Sequence, residues 1–311
     1  MIHILLASYN GEQFIEEQIE SLLNQTHQNF RVFINDDNST DSTYSILQGY
    51  ARQYPAQIFI SRSGSNTGSP KFNFIRMMLK HKGNYVMLCD QDDVWLPDKI
   101  EKSVNALREM ERLYGADTPI LIHSDLKIVD KELKTISESL MRSMKADYSR
   151  VTLNSLIIQN TLAGCTAIYN RALAGLLVSE PEYMVMHDWW LALVAGAFGK
   201  IGTIYEPTML YRQHGNNDVG AREMRSLKFI ASEIIRSFHS NQVLCALGGT
   251  YRQAASFLEA YDGRLGEEQK HLLRTYAAIP EMNKLKRILT VCKLGTLKHG
   301  FIRKAAQFLF I

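Results

Sequence analysis

The sequence predicts an α/β fold, a mainly parallel sheet with helices on both faces, followed by a helical C-terminal region. Three observations carry this. Strand-like and helix-like patterns alternate over roughly the first 125 residues. Polar clusters close at least three of the strand runs. From about Ala221 onward Ile, Leu and Phe recur at three- and four-residue steps. The expected division is 1–220 for the α/β domain and 221–311 for the helical region.

The elements follow in order. Ile2–Ala7 is a short apolar run suited to a strand buried on both faces. It carries no basic flank and reads as a strand, not a signal peptide. Glu12–Gln25 places Phe14, Ile15, Ile19, Leu22 and Leu23 at helical spacing. Phe30–Asn35 is a β-rich run that stops at Asp36-Asp37-Asn38-Ser39. Ser42–Tyr54 is helical, Gln57–Ser61 a strand, and Ser63–Pro70 a Gly/Ser/Asn loop. Lys71–Lys82 is helical, Tyr85–Cys89 a strand, Asp98–Leu113 a charged helix and Ile120–His123 a further strand. Strands alternating with helices predict parallel pairing. Ligands of such sheets sit beyond the carboxyl ends of the strands. Ser8-Tyr9-Asn10, Asp36-Asp37-Asn38 and Asp90-Gln91-Asp92-Asp93 all fall there.

Composition narrows the class. Charged residues make up 22% and hydrophobic ones 46%, which permits a sizeable core. The net charge of +3 argues against nucleic acid as a partner. That charge is uneven: Glu281–Ile311 holds five Lys and two Arg against one Glu, a local +6. Four cysteines lack C-x-x-C spacing, so no zinc site or disulfide framework is expected. No apolar run approaches the ~18–20 residues that span a bilayer.

Asp90, Asp92 and Asp93 at a strand end read either as a solvated turn or helix cap, or as a site for a hard cation. Mg2+ or Mn2+ prefers carboxylate oxygens and leaves positions for substrate phosphates. Asp36 and Asp37 read as caps for the next helix, or as acceptors for a base or ribose. Tyr9, between Ser8 and Asn10, favours stacking on a base over a core position. The glycines of the Ser63–Ser69 loop permit close backbone approach, but the loop is no P-loop. Ser8-Tyr9-Asn10-Gly11 lacks the glycine fingerprint of a dinucleotide oxidoreductase.

Four ordered motifs together resemble family 2 glycosyltransferases over roughly residues 1 to 215: Ala7-Ser8-Tyr9-Asn10-Gly11, Gln25-Thr26, Asp36-Asp37-Asn38-Ser39-Thr40-Asp41, and Asp90-Gln91-Asp92-Asp93-Val94-Trp95-Leu96-Pro97-Asp98-Lys99. The resemblance implies a GT-A fold, a nucleotide-sugar donor and a single-displacement, inverting reaction. It implies that Tyr9 stacks on the nucleobase and that Asp37 hydrogen-bonds it. Ala7, Asn66, Gly68, Lys71, Asp90 and Gln91 complete the implied nucleotide site. Asp90-Gln91-Asp92 falls at the D-x-D position, so Asp92 is the implied metal ligand and Asp90 a ribose or metal contact. Asp93, Trp95, Trp189 and Trp190 are the implied sugar or acceptor contacts.

His187-Asp188-Trp189-Trp190 falls where the family keeps its catalytic acid, which makes Asp188 the implied general base. Its residues alone also fit an N-cap before an apolar helix over Trp189–Ala197. His187 replaces the usual Glu, as in a rhamnosyltransferase-like branch. Tyr211-Arg212-Gln213-His214-Gly215-Asn216-Asn217 resembles the same branch. There His214 is an implied third metal ligand and Arg212 an implied diphosphate contact. The branch points to dTDP-L-rhamnose as donor, with UDP-galactose or UDP-glucose as the alternative. It also points to a lipid-linked saccharide acceptor of cell-wall or capsular polysaccharide. A catalytically silent relative is disfavoured because Asp92, Asp188 and His214 are all present.

The basic tail carries Leu285, Ile288, Leu289, Leu294, Leu297, Phe301 and further apolar residues at helical steps. Gly295 and Gly300 would bend or break one long helix. Either this face packs on the rest of the chain, or it binds the inner surface of the cell membrane from the cytoplasm.

Overall fold

The structure, a computed structural model, describes residues 1–144, 146–214 and 240–311. Its sheet has nine strands in the order β3-β2-β1-β4-β8-β6-β9-β5, with β7 paired to β6. They are β1 Ile2–Ser8, β2 Phe30–Asp36, β3 Ile58–Arg62, β4 Tyr85–Cys89, β5 Val94–Trp95, β6 Ile120–Val129, β7 Thr135–Ser137, β8 Ile168–Asn170 and β9 Lys200–Arg212. The first α-helices are α1 Ile15–Leu23, α2 Thr43–Gln53, α3 Pro70–Lys80 and α4 Lys99–Tyr114.

The expected parallel sheet is found in one half. β1 pairs in parallel with both β2 and β4, and β2 with β3. β1 is therefore central, which is why Ile2, Ile4, Leu5, Leu6 and Ala7 are all buried. The other half is mixed. β8 runs antiparallel to β4 and β6, while β6 and β9 are parallel. Asn170 closes β8: its side chain accepts from Ile120 N at 3.0 Å, donates to Thr118 O at 2.8 Å, and accepts from Leu173 N in the next helix. β6 is longer than its apolar run, because Ser124 and Asp125 are buried with partners. β5, β7 and β8 carried no periodic signal.

The chain forms two compact units. The first holds Met1–Ser143 and Leu162–Glu180 and all nine strands. The second groups Met144–Thr161 and Pro181–Ala197 with the C-terminal helices, so the Asp188 segment, expected in the α/β domain, clusters with the helical region. Within this unit Trp190 packs against Phe257 at 5.2 Å between ring centroids. Its C-terminal helices are Ser240–Tyr261, Glu267–Ala277, Lys284–Leu294 and Phe301–Phe310. Gly295 and Gly300, with φ of 68° and 80°, separate the last two. The expected helix onset near Ala221 and the Gly215-Asn216-Asn217 loop lie outside the described residues. No described helix is long and apolar enough to cross a membrane.

Candidate active site

Three strand ends of the first unit converge. The loop after β1 is tied to the loop after β2 by backbone donors meeting side-chain acceptors. Asn10 N donates to Ser39 Oγ at 2.9 Å, Gly11 N to Thr43 Oγ1 at 2.8 Å, and Thr40 N to Asn10 Oδ1 at 2.8 Å. Asn10 and Asn38 take positive φ, 47° and 63°, which asparagine tolerates better than most residues. Asp36 lies fully buried beneath, accepting from Ser39 N and paired with Arg62 at 3.3 Å. Asp36 thus holds the loop.

Asp37 is different. It is 4% exposed, and its Oδ2 accepts from Thr67 N and Oγ1 at 2.9 and 2.7 Å. Its Oδ1 is buried and has no hydrogen-bond partner among the described residues. A buried carboxylate oxygen without a donor is costly, and a ligand N–H would satisfy it. Asn66 Nδ2 donates to Asp37 O at 3.2 Å, and its Oδ1 accepts from Gly68 N at 2.6 Å. Gly68 takes φ 77°. Lys71 lies over the Phe72 ring at 5.0 Å. Thr67, unremarked in the sequence, is what fixes Asp37.

Tyr9 is 45% exposed and is held through its backbone. Gln91 accepts from Tyr9 N at 2.8 Å and donates to Tyr9 O at 2.9 Å. This clamp lies against Gly11, where an added Cβ would overlap the Gln91 amide. The loop after β1 and the Asp90-Gln91-Asp92 segment are thereby joined.

At that segment Asp92 Oδ2 meets His214 Nε2 at 2.8 Å, with both side chains about one-seventh exposed. The antiparallel pair Val94↔Leu210 and Trp95↔Met209 brings them together. Arg212 braces the join. Its N donates to Asp93 Oδ1 at 3.1 Å, its Nε to Asp92 O at 2.9 Å, and its Nη1 to Lys131 O at 2.6 Å. Its Nη2 bonds Glu17. The Phe14 ring lies 4.7 Å from this guanidinium and 4.8 Å from the His214 ring.

Several expected contacts are corrected by burial. Arg212 was expected on a diphosphate, yet its side chain is 2% exposed and its nitrogens serve the protein. Asp93 and Trp95 were expected on the sugar or acceptor, yet they are 0% and 2% exposed. Trp190, 1% exposed, is a core aromatic. Burial, reinforced by Asp92 and Asp90, pushes the Asp93 carboxyl well up. Under the site lies Lys99, fully buried, with Nζ 3.2 Å from Thr208 Oγ1 and 4.7 Å from the Trp95 ring centre. Burial brings its amine down to about 8.

A divalent cation fits the donors present. Asp92 and His214 converge a carboxylate oxygen and an imidazole nitrogen, a set suited to Mn2+ and tolerable for Mg2+. Asp90 instead shares a cluster with Asp93 and the Cys165 thiol, their ligand atoms all within 4.8 Å. Cys165 is buried and burial raises its thiol pKa, so it is a poor ligand at neutral pH. The partly exposed Asp92–His214 pair is the better cation site.

In the second unit, Asp188 is the second residue of the helix His187–Phe198, one turn position inside rather than before it. Its Oδ1 accepts from Trp189 N at 2.6 Å. The Trp189 indole donates to Leu156 O at 2.6 Å, pinning the start of the helix. His187 is buried, which lowers its pKa to about 3 and keeps it neutral.

The strand-end loops thus present a half-exposed tyrosine, a carboxylate with one oxygen unsatisfied and an Asp–His pair. The glycosyl transferase family 2 model matches residues 3–172, and the chain belongs to that family. It is 29% identical over 248 residues to dTDP-rhamnosyl transferase RfbG of Shigella flexneri, covering 75% of this chain and 79% of that one. It is 27% identical over 251 residues to the putative teichuronic acid biosynthesis glycosyltransferase TuaG of Bacillus subtilis, covering 79% and 92%. The fold matches S. aureus TarS 1–349 in complex with UDP-GlcNAc with a TM-score of 0.57 at 18% identity, over 94% of this chain and 90% of that one. It also matches mannosyltransferase PcManGT from Pyrobaculum calidifontis, in complex with GDP-Man and Mn2+, at 0.54 and 17%, over 94% and 73%. The chain therefore has the GT-A fold of a glycosyl-transfer enzyme.

Proposed function

We propose that this enzyme transfers L-rhamnose from dTDP-L-rhamnose, with inversion, to a lipid-linked saccharide used for bacterial cell-wall or capsular polysaccharide. The observation that carries the nucleotide-sugar reading is the unsatisfied Asp37 Oδ1 beside the Tyr9 loop. A pyrimidine base offers a ring N–H for that oxygen and a face for the Tyr9 ring. The rhamnosyl assignment rests on similarity to RfbG over three quarters of the chain.

Asp92 and His214 would hold Mn2+ or Mg2+, with Asp90 as a ribose or further metal contact. The metal supplies positive charge against the leaving nucleoside diphosphate. Arg212, buried and bonded to Asp93 and to the Asp92 carbonyl, would hold the Asp92 segment against the strand that leads to His214. Asp188 accepts the proton of the acceptor hydroxyl as the sugar–oxygen bond forms and the bond to the diphosphate breaks. The Trp189 indole keeps that carboxylate at the helix start.

Donor hydrolysis across dTDP-rhamnose, UDP-glucose, UDP-galactose and UDP-GlcNAc, with Mn2+ and with chelator, tests this reading. The expected result is fastest release of dTDP in Mn2+, lost in chelator and lost in Asp92→Asn with an unchanged circular dichroism spectrum. Full activity in chelator removes the metal from the reaction. A preference for a UDP-sugar replaces rhamnose with the sugar of that donor.

A further inference from the structure

The last two helices of the second unit form an outward-facing apolar and basic surface. Lys284 Nζ, at the start of one, donates to Leu309 O near the end of the other at 2.9 Å. That bond ties the start of Lys284–Leu294 to the end of Phe301–Phe310. The second helix buries a polar side chain while exposing some of its apolar ones. Its polar Gln307 is fully buried, with Nε2 donating to Thr296 O at 2.8 Å and Oε1 accepting from Lys298 N at 2.9 Å. Three of its large apolar side chains are exposed, Phe301 at 87%, Leu309 at 50% and Ile302 at 43%, while Phe308 and Phe310 are half-buried. Ile302 and Leu309 are seven residues apart and share one side. On the neighbouring helix Leu285 and Leu289, four apart, are 69% and 61% exposed. Exposed Lys286 and Lys293 lie on the same helix.

A folded chain does not ordinarily leave a cluster of large apolar residues in water without something to cover it. Charge selects the cover. Residues 284–311 hold seven Lys and Arg and no Asp or Glu. A second copy of this face would bring two such cationic surfaces together, which repel. An anionic lipid surface offers an apolar boundary for the Phe and Leu side chains and phosphates for the cations, whose stems extend to the headgroups. We infer that the helix pair Lys284–Leu294 and Phe301–Phe310 is a docking surface for anionic lipid, entered by Phe301, Ile302, Leu309, Leu285 and Leu289. The inference stands on exposure and charge and is independent of the donor assigned above. It would place the enzyme beside a lipid-linked acceptor.

The test is sedimentation of the full chain with phosphatidylcholine vesicles, with and without phosphatidylglycerol. Binding is expected only with phosphatidylglycerol at low salt, and release in high salt. Phe301→Ser with Leu309→Ser should weaken partition by about tenfold or more. Lys286→Glu with Lys293→Glu should do the same at low salt. Both pairs change exposed side chains, so circular dichroism and donor hydrolysis should stay at the native level, which separates failed docking from failed chemistry. Equal binding to neutral vesicles, or no binding to either, overturns the proposal. So does a dimer in sedimentation velocity that dissociates in the Phe301/Leu309 variant, which would show a second copy as the cover.

Discussion

The backbone N–H of Arg212 donates to Asp93 Oδ1 at 3.1 Å, while the Arg212 guanidinium donates to the carbonyl of Asp92 at 2.9 Å. The two segments hold one another through a residue that is almost wholly buried. Arg212→Ala leaves the Asp92 and Lys131 carbonyls without this donor. It should cost about 2–4 kcal/mol of stability, read as a lowered denaturant midpoint at constant slope. Mn2+ binding by calorimetry should weaken in the same variant. A variant that kept native metal affinity would show that Asp92 and His214 hold their places unaided.

The Gln91 clamp on Tyr9 predicts coupling. Gly11→Ala pushes a methyl group into the Gln91 amide and displaces it. Two hydrogen bonds at about 1 kcal/mol each then leave the Tyr9 loop, so donor affinity should fall by roughly 5–30-fold. Gln91→Ala should fall by a like amount, and the double variant by little more than either. Additive losses would mean that the two residues act separately.

Asp188→Asn retains size and the acceptor for Trp189 N but removes the base. Turnover should fall by roughly 10²-fold or more, with donor binding unchanged by calorimetry. Native turnover would reduce Asp188 to a helix-start residue.

Acid should destabilise the fold through buried histidines. His123 is 2% exposed, contacts Thr203 Oγ1 at 2.9 Å, and is lowered to about 4 by burial. Below the ordinary value near 6.5 the unfolded chain takes a proton that the folded chain refuses until about 4. Its contribution is therefore full above pH 6.5 and declines as pH falls towards 4, by about 3 kcal/mol at most. His123→Gln should flatten the stability profile across that window in urea titrations. An unaltered slope would assign it to His81, also lowered to about 4 by burial, or to His187.

The parallel half of the sheet was legible in the sequence because its strands are continuous apolar runs that end abruptly in polar clusters. β1, β2 and β4 were readable for that reason. The mixed half was less so. β5 is two residues long and β8 three, too short for a period to show. Residue type singled out Asp92 and His214, which the fold sets 2.8 Å apart, but misjudged Arg212, Asp93, Trp95 and Trp190. Arg and Asp at a site suggest contact with a charged ligand. Only burial shows that here they serve the chain itself. Thr67 was one polar residue among several in the Ser63–Ser69 loop and Cys165 belonged to no polar cluster; both matter through what they stand beside.

The two-residue strand β5 joins β9 across more than a hundred residues of chain. During synthesis the D-x-D segment leaves the ribosome long before His214 exists to meet Asp92. The parallel pairs β1–β2 and β2–β3 are each joined by a single helical crossover, α1 and α2, and can condense early. The β5–β9 closure carries a larger loop entropy and comes late. A nascent or truncated chain thus has the loops after β1 and β2 while Asp92 still lacks His214. The order of residues along the chain delays the Asp92–His214 pairing until the strand carrying Arg212 has been made and docked.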